Sequence, residues 1–150
     1  PSDIVITTNG GYPLDQNAYQ CPKGMSAAEA TVNDGGVIIM LATCQDGHGG
    51  ESYYHSIADA ESADAFFQQC LHTPQVETLP DQWCAQIWCR IVRKYKVLFV
   101  ADKAQEQLIR DLKVEYFETL DEAYARAREL KGPDATLACI PNGVSVVVKD

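Results

Sequence analysis

The sequence predicts an α/β fold, a three-layer sandwich around a mostly parallel sheet with a C-terminal antiparallel hairpin. Short apolar, β-branched runs alternate with segments of helical periodicity. Glycine-rich loops follow the first two runs, and an Asn-Gly pair separates the last two. Ile4 to Thr7 reads as a buried strand running into a turn-rich loop at Asn9, Gly10, Gly11, Tyr12 and Pro13. A helix is expected from Ser26 to Val32. After Gly35 and Gly36, the apolar run Val37 to Leu41 reads as a second strand parallel to the first. The second glycine-rich loop spans Gln45 to Ser52.

Two amphipathic helices follow. In the first, Ile57, Ala60, Ala63, Phe66, Phe67, Cys70 and Leu71 recur every three or four residues; in the second, Trp83, Cys84, Ile87, Trp88, Ile91, Val92 and Tyr95 form one stripe. Thr78 with Asp81 predicts an N-terminal cap for the second, with Pro80 in its first turn. Val97 to Ala101 is expected as strand three, Ala104 to Leu112 as a short helix and Val114 to Phe117 as a short strand. Leu120 to Leu130 is expected as a helix opened by a Thr119/Glu122 capping box and closed by Gly132 and Pro133. Ala135 to Ile140 and Val144 to Val148 are expected to pair as the hairpin around Pro141, Asn142 and Gly143, since Asn-Gly supplies positive φ angles. The architecture is Rossmann-like, with ligands expected beyond the carboxyl ends of the strands, at the Asn9 to Lys23 and Gln45 to His55 loops.

A chain of 150 residues, 46% hydrophobic and 22% charged, is expected to form a single globular domain. Its net charge of -9 would repel both a nucleic-acid backbone and an anionic membrane surface. The longest apolar run, Val37 to Ala42, is too short to cross a bilayer, and neither export nor membrane insertion is expected. The six cysteines include no C-x-x-C pair and are expected as reduced, mostly buried thiols. Pro1-Ser2 leading directly into a strand is expected of a piece cut from a longer protein.

There is no G-x-G-x-x-G, Walker A or G-x-S-x-G motif. His48, His55 and His72 lie on different elements, so no metal site is expected within the chain. The informative stretch is Asn9 to Met25. Gly10 and Gly11 allow the backbone to approach a ligand, and the helix beyond presents amide N–H groups to an anion. Tyr19, Gln20 and Lys23 offer a phenol, an amide and an ammonium, a set able to bind a carboxylate beside a hydroxyl or carbonyl; the alternative is a solvated lysine and a tyrosine packed on the sheet. Pro22 either opens the helix or changes how Tyr19 relates to Lys23. His48 and Glu51 face the same expected cleft or merely stabilise their own loop. Trp88 continues the core stripe, whereas Trp83 suits core and cleft equally.

The run Asp3 to Met25, G-G-V-I-I-M at Gly35 to Met40, D-G-H-G-G-E at Asp46 to Glu51, and P-D-Q-W at Pro80 to Trp83 together resemble the C-terminal domain of nickel-dependent lactate racemases. The resemblance implies a cytoplasmic two-domain isomerase with its active site between the domains. An N-terminal domain, absent here, would carry a lysine-anchored nickel-pincer nucleotide and a histidine pair acting as acid and base. Hydride would leave the α-carbon of a small 2-hydroxy acid and return to the opposite face. On this chain Tyr19, Gln20 and Lys23 of Y-Q-x-x-K would bind substrate, with Lys23 stabilising charge during catalysis, and Trp83 would face the cofactor. Asn9, Gly10, Gly11 and His48 would frame the cleft. The isolated chain is expected to be inactive and cofactor-free. A non-catalytic module binding a small carboxylate or phosphate through the same loops is the alternative.

Overall fold

The computed structural model describes residues 1–149. Five strands, β1 (Ser2–Thr8), β2 (Val32–Leu41), β3 (Lys96–Val100), β4 (Glu115–Phe117) and β5 (Leu137–Ile140), form one sheet in the order β4-β3-β2-β1-β5. Every pairing is parallel. Six α-helices, α1 (Cys21–Glu29), α2 (Glu51–Ala58), α3 (Ala63–His72), α4 (Gln82–Lys94), α5 (Glu106–Asp111) and α6 (Leu120–Lys131), connect them.

The alternation of side chains along each strand divides the core in two. Val5, Ile38, Met40, Val97 and Phe99 pack with residues of α1 to α5. On the other face Ile4, Val37, Ile39, Leu98 and Val100 meet Ala123 and Ala127 of α6. Three layers result, with most of the apolar mass on the α1–α5 side. Among the described residues no helix is long and apolar enough to cross a membrane.

The expected C-terminal hairpin does not form. β5 pairs parallel with β1, Ile4 opposite Leu137. Neither Asn142 nor Gly143 takes the positive φ that a tight hairpin turn requires. The Gly143 N–H instead donates to the Thr8 carbonyl (2.8 Å), Ser145 N–H to the Asn142 carbonyl (3.1 Å), and Asn9 and Asn142 make one isolated antiparallel bridge. Val144 to Val148 form no ladder and lie beside α1.

Other boundaries shift for local reasons. The stripe from Ile57 to Leu71 is two helices, because the Ser62 side chain accepts the Ala65 N–H and starts α3 afresh. Val32, expected at a helix end, opens β2. Four residues are then passed before Val37 comes opposite Ile4, with Gly35 at φ +71 in the irregular stretch. The Thr119/Glu122 capping box is present in full.

Candidate active site between α1 and α4

The loop after β1 is organised by Asn9, whose side chain is buried. Its Nδ2 donates to the carbonyls of Leu14 (2.8 Å) and Gln20 (2.9 Å), and its Oδ1 accepts the Gly24 N–H (3.1 Å). One amide thereby fixes the loop, the turn before α1 and the first turn of α1. Gly24 has to be glycine, since a Cβ there would lie 2.5 Å from Asn9 Oδ1. Gly10 and Gly11 hold φ values of +81 and +85. None of Asn9, Gly10 and Gly11 lines the pocket that Tyr19 and Lys23 line. Gly11 lines a separate crevice of about 300 Å³ at the carboxyl ends of the strands, with Thr8, Asp15, Thr43, Asp102 and Glu118.

A 3₁₀ turn, Ala18–Gln20, leads into α1, with Pro22 in the first turn of the helix. Proline is accommodated there because its missing N–H would have no helical partner. Tyr19 and Lys23 reach the same space: a pocket of about 110 Å³ lined by Tyr19, Pro22, Lys23 and Ser26 on one side and by Trp83, Cys84 and Ile87 of α4 on the other. That space matches about three or four waters' share of liquid volume.

The Tyr19 O–H donates to Asp81 Oδ1 at 3.0 Å. Its ring meets Tyr53 and Trp83 edge-on, with centroids 5.4 and 6.3 Å away. Burial and the Asp81 carboxylate push the phenol up to about 12, so it stays protonated at neutral pH. The Cys84 thiol donates to the Tyr19 carbonyl (3.4 Å), and burial raises it to about 12 as well, leaving it neutral. Lys23 is exposed and takes part in none of the ion pairs among the described residues. Trp83 is 58% exposed, a rim residue, whereas Trp88 is fully buried core.

Gln20 sits next to this group without lining the pocket; its Oε1 is buried with no hydrogen-bond partner. His48 is likewise outside the pocket. Its Nδ1 accepts the Gly50 N–H (3.1 Å), its ring stacks on Tyr54 at 5.1 Å, and its Nε2 lies 3.6 Å from Glu51. What its loop contributes is backbone: the carbonyls of Gly47 and His48 accept the N–H groups of Ala18 (3.1 Å) and Tyr19 (3.0 Å). The second glycine loop is thus a brace for the Tyr19 turn. Among the described residues no three His, Cys, Asp or Glu side chains are grouped to hold a metal ion.

Two features escape a reading of spacing. Asp81 occupies the N-cap position of α4 at φ +59 without capping it, and the Gln82 Oε1 instead accepts the Leu79 N–H (3.1 Å). The expected Thr78/Asp81 cap with Pro80 in the first helical turn does not form, because the helix begins only at Gln82 and leaves Thr78 and Pro80 ahead of it. The P-D-Q-W run carried the only hint of this feature. Cys84 and Ile87, read as core stripe, form the pocket's far wall.

Chemically, an exposed ammonium lines a small, mainly apolar pocket, beside a protonated phenol and an exposed indole. Such a set suits a small carboxylate carrying a second oxygen function.

Comparison with known proteins agrees in family and fold. Residues 1–148 match the lactate racemase C-terminal domain. The chain is 50% identical over 147 residues to the lactate racemase of Lactiplantibacillus plantarum, covering 98% of this chain and 35% of that protein. It is 45% identical over 150 residues to the lactate racemase of Thermoanaerobacterium thermosaccharolyticum, covering 100% and 35% respectively. The lactate racemase apoprotein structure from the latter organism superposes with a TM-score of 0.96, covering 100% of this chain and 36% of that one. The chain spans about a third of the length of these relatives.

Proposed function

The chain belongs to the lactate racemase C-terminal domain family, and on that premise we propose that it forms the substrate side of a cytoplasmic 2-hydroxy-acid racemase or epimerase with an N-terminal partner domain. The observation that carries the reading is the convergence of Tyr19, Lys23 and Trp83 on one pocket across a sequence gap of some 60 residues. Lys23 pairs with the substrate carboxylate and stabilises negative charge developing on the neighbouring oxygen. Tyr19 meets that oxygen in its hydroxyl form, before the charge develops, and Gln20 supports the turn that presents both. Trp83 covers the open side and keeps water from the reacting carbon.

Among the described residues no group of side chains fits a nickel site. In this reading the nickel-pincer nucleotide, which supplies hydride acceptance and return, is held with the acid–base histidines by residues outside this chain.

The test is Lys23→Ala in the full-length enzyme. A charge-assisted hydrogen bond in a partly dry cleft contributes about 1.5 to 3 kcal/mol, so kcat/KM should fall roughly ten- to a hundred-fold. Lys103→Ala is the control, since Lys103 is paired with Glu106 at the start of α5. Wild-type kinetics for Lys23→Ala, or loss of activity only through unfolding, would sink the reading.

A further inference from the structure

Resting on the racemase reading, we propose that Asp81 is a positioning residue that turns the phenol hydrogen of Tyr19 away from the pocket, so that Tyr19 meets a bound ligand only as a hydrogen-bond acceptor. A hydroxyl has one hydrogen to give and two lone pairs to offer. The hydrogen of Tyr19 is committed to Asp81 Oδ1 at 3.0 Å, and Asp81 is not among the residues lining the pocket that Tyr19 lines. The committed geometry is held from several sides. Tyr53 and Trp83 clamp the ring edge-on, and the backbone of Tyr19 is tied to His48. Gly50 lies against both partners: a Cβ there would be 3.4 Å from Tyr19 Cδ2 and 3.8 Å from Asp81 Oδ2.

Asp81 is itself freed for this task. Its side chain makes no capping bond to α4, its backbone is left-handed at φ +59, and among the described residues no cation pairs with it. Its charge is met by the Tyr19 O–H and by the positive end of α4. An acceptor-only Tyr19 has a consequence for the ligand. The group opposite it has to bring a hydrogen, as the alcohol of a 2-hydroxy acid does and the carbonyl of the matching 2-keto acid does not. Asp81 thereby biases the pocket toward the alcohol form.

The experiment is a double-mutant cycle in the full-length enzyme between Asp81→Gly and Tyr19→Phe. Glycine suits φ +59, so removing the side chain adds no backbone strain. Asp81→Gly should lower kcat/KM about tenfold in the parent and less than about twofold in the Tyr19→Phe background, because a residue acting through Tyr19 has nothing left to orient there. Asp81→Asn, which keeps an acceptor oxygen and tolerates positive φ, should retain activity within about threefold. In Asp81→Gly the freed phenol can donate, so competitive inhibition by the 2-keto acid should tighten relative to KM for the hydroxy acid. Additive losses, or an unchanged ratio of these two affinities, would overturn the proposal while leaving the racemase reading in place. Full activity in Lys23→Ala would instead remove that reading.

Discussion

The indole N–H of Trp88 donates to the carbonyl oxygen of Leu112 at 2.9 Å, wholly inside the core, and joins the middle of α4 to the residue that ends α5. The same ring stands perpendicular to Tyr53 (6.3 Å) and tilted against Phe99 (6.1 Å), so it links pocket-side aromatics to the sheet.

Trp88→Ala should therefore destabilise the protein by roughly 3 to 5 kcal/mol through cavity formation. Trp88→Phe keeps much of the packing but strands a buried carbonyl, which costs about 1 to 3 kcal/mol. Urea unfolding monitored by far-UV circular dichroism separates the two. A cost below about 1 kcal/mol for the alanine variant would contradict the packing described.

A second expectation concerns acid. The Asp3 carboxylate accepts the Thr136 N–H (2.9 Å), the Thr136 hydroxyl (2.7 Å) and the Asn33 side-chain amide (3.0 Å), and these bonds hold it at about 2 against an ordinary 3.8. A depressed carboxyl stabilises the fold above its unfolded value and loses that contribution as pH falls from 3.8 toward 2. Asp3→Asn should accordingly be less stable than the parent at neutral pH, with the gap closing below about pH 4. Stability curves for the pair between pH 7 and the acid limit check this, and a gap that persists unchanged at low pH would refute it.

All six cysteines are free thiols. Cys21, Cys44, Cys84 and Cys89 are buried, and burial pushes Cys84 and Cys89 to about 12, which suppresses the reactive thiolate. In native protein the exposed Cys139 should react first with a thiol reagent and the half-buried Cys70 next. All six should titrate once the chain is denatured without reductant. Recovering two or fewer would show the assignment to be wrong.

The isolated chain should fold yet show no racemisation of lactate and no tight uptake of the nickel-pincer nucleotide, since the proposed acid–base pair and anchoring lysine lie outside it. A polarimetric assay of the purified chain is sufficient; measurable turnover would refute the division of labour proposed here.

Much of this fold was legible because its strands and helices are locally consistent. Val37 to Leu41 is β-branched and apolar between glycines, and the α4 stripe and the Thr119/Glu122 box say the same thing at two levels. The C-terminal valines misled because β propensity describes a surface that needs a partner, and here the Gly143 N–H is taken by Thr8. The break between α2 and α3 is silent in the apolar spacing, which runs on through it; only Ser62 marks it. In the site, Tyr19, Lys23 and Trp83 were named from the sequence and do share a pocket. Asp81 was read as Thr78's partner in an N-terminal cap, since nothing in linear spacing shows that a residue 62 positions away points a phenol at it.

The parallel pairing of β5 with β1 also sets an order of events during folding. Thr136 stands 133 residues from Asp3, so β1 gains its second neighbour, β5, only across nearly the whole sequence, whereas β2 is within a few dozen residues. Closing so long a loop is slow, and until it happens β1 exposes an unpaired edge of Ile4, Val5 and Ile6 backbone open to other chains. The docking of β5 is therefore the step at which a slow-folding population of this protein is most exposed to aggregation.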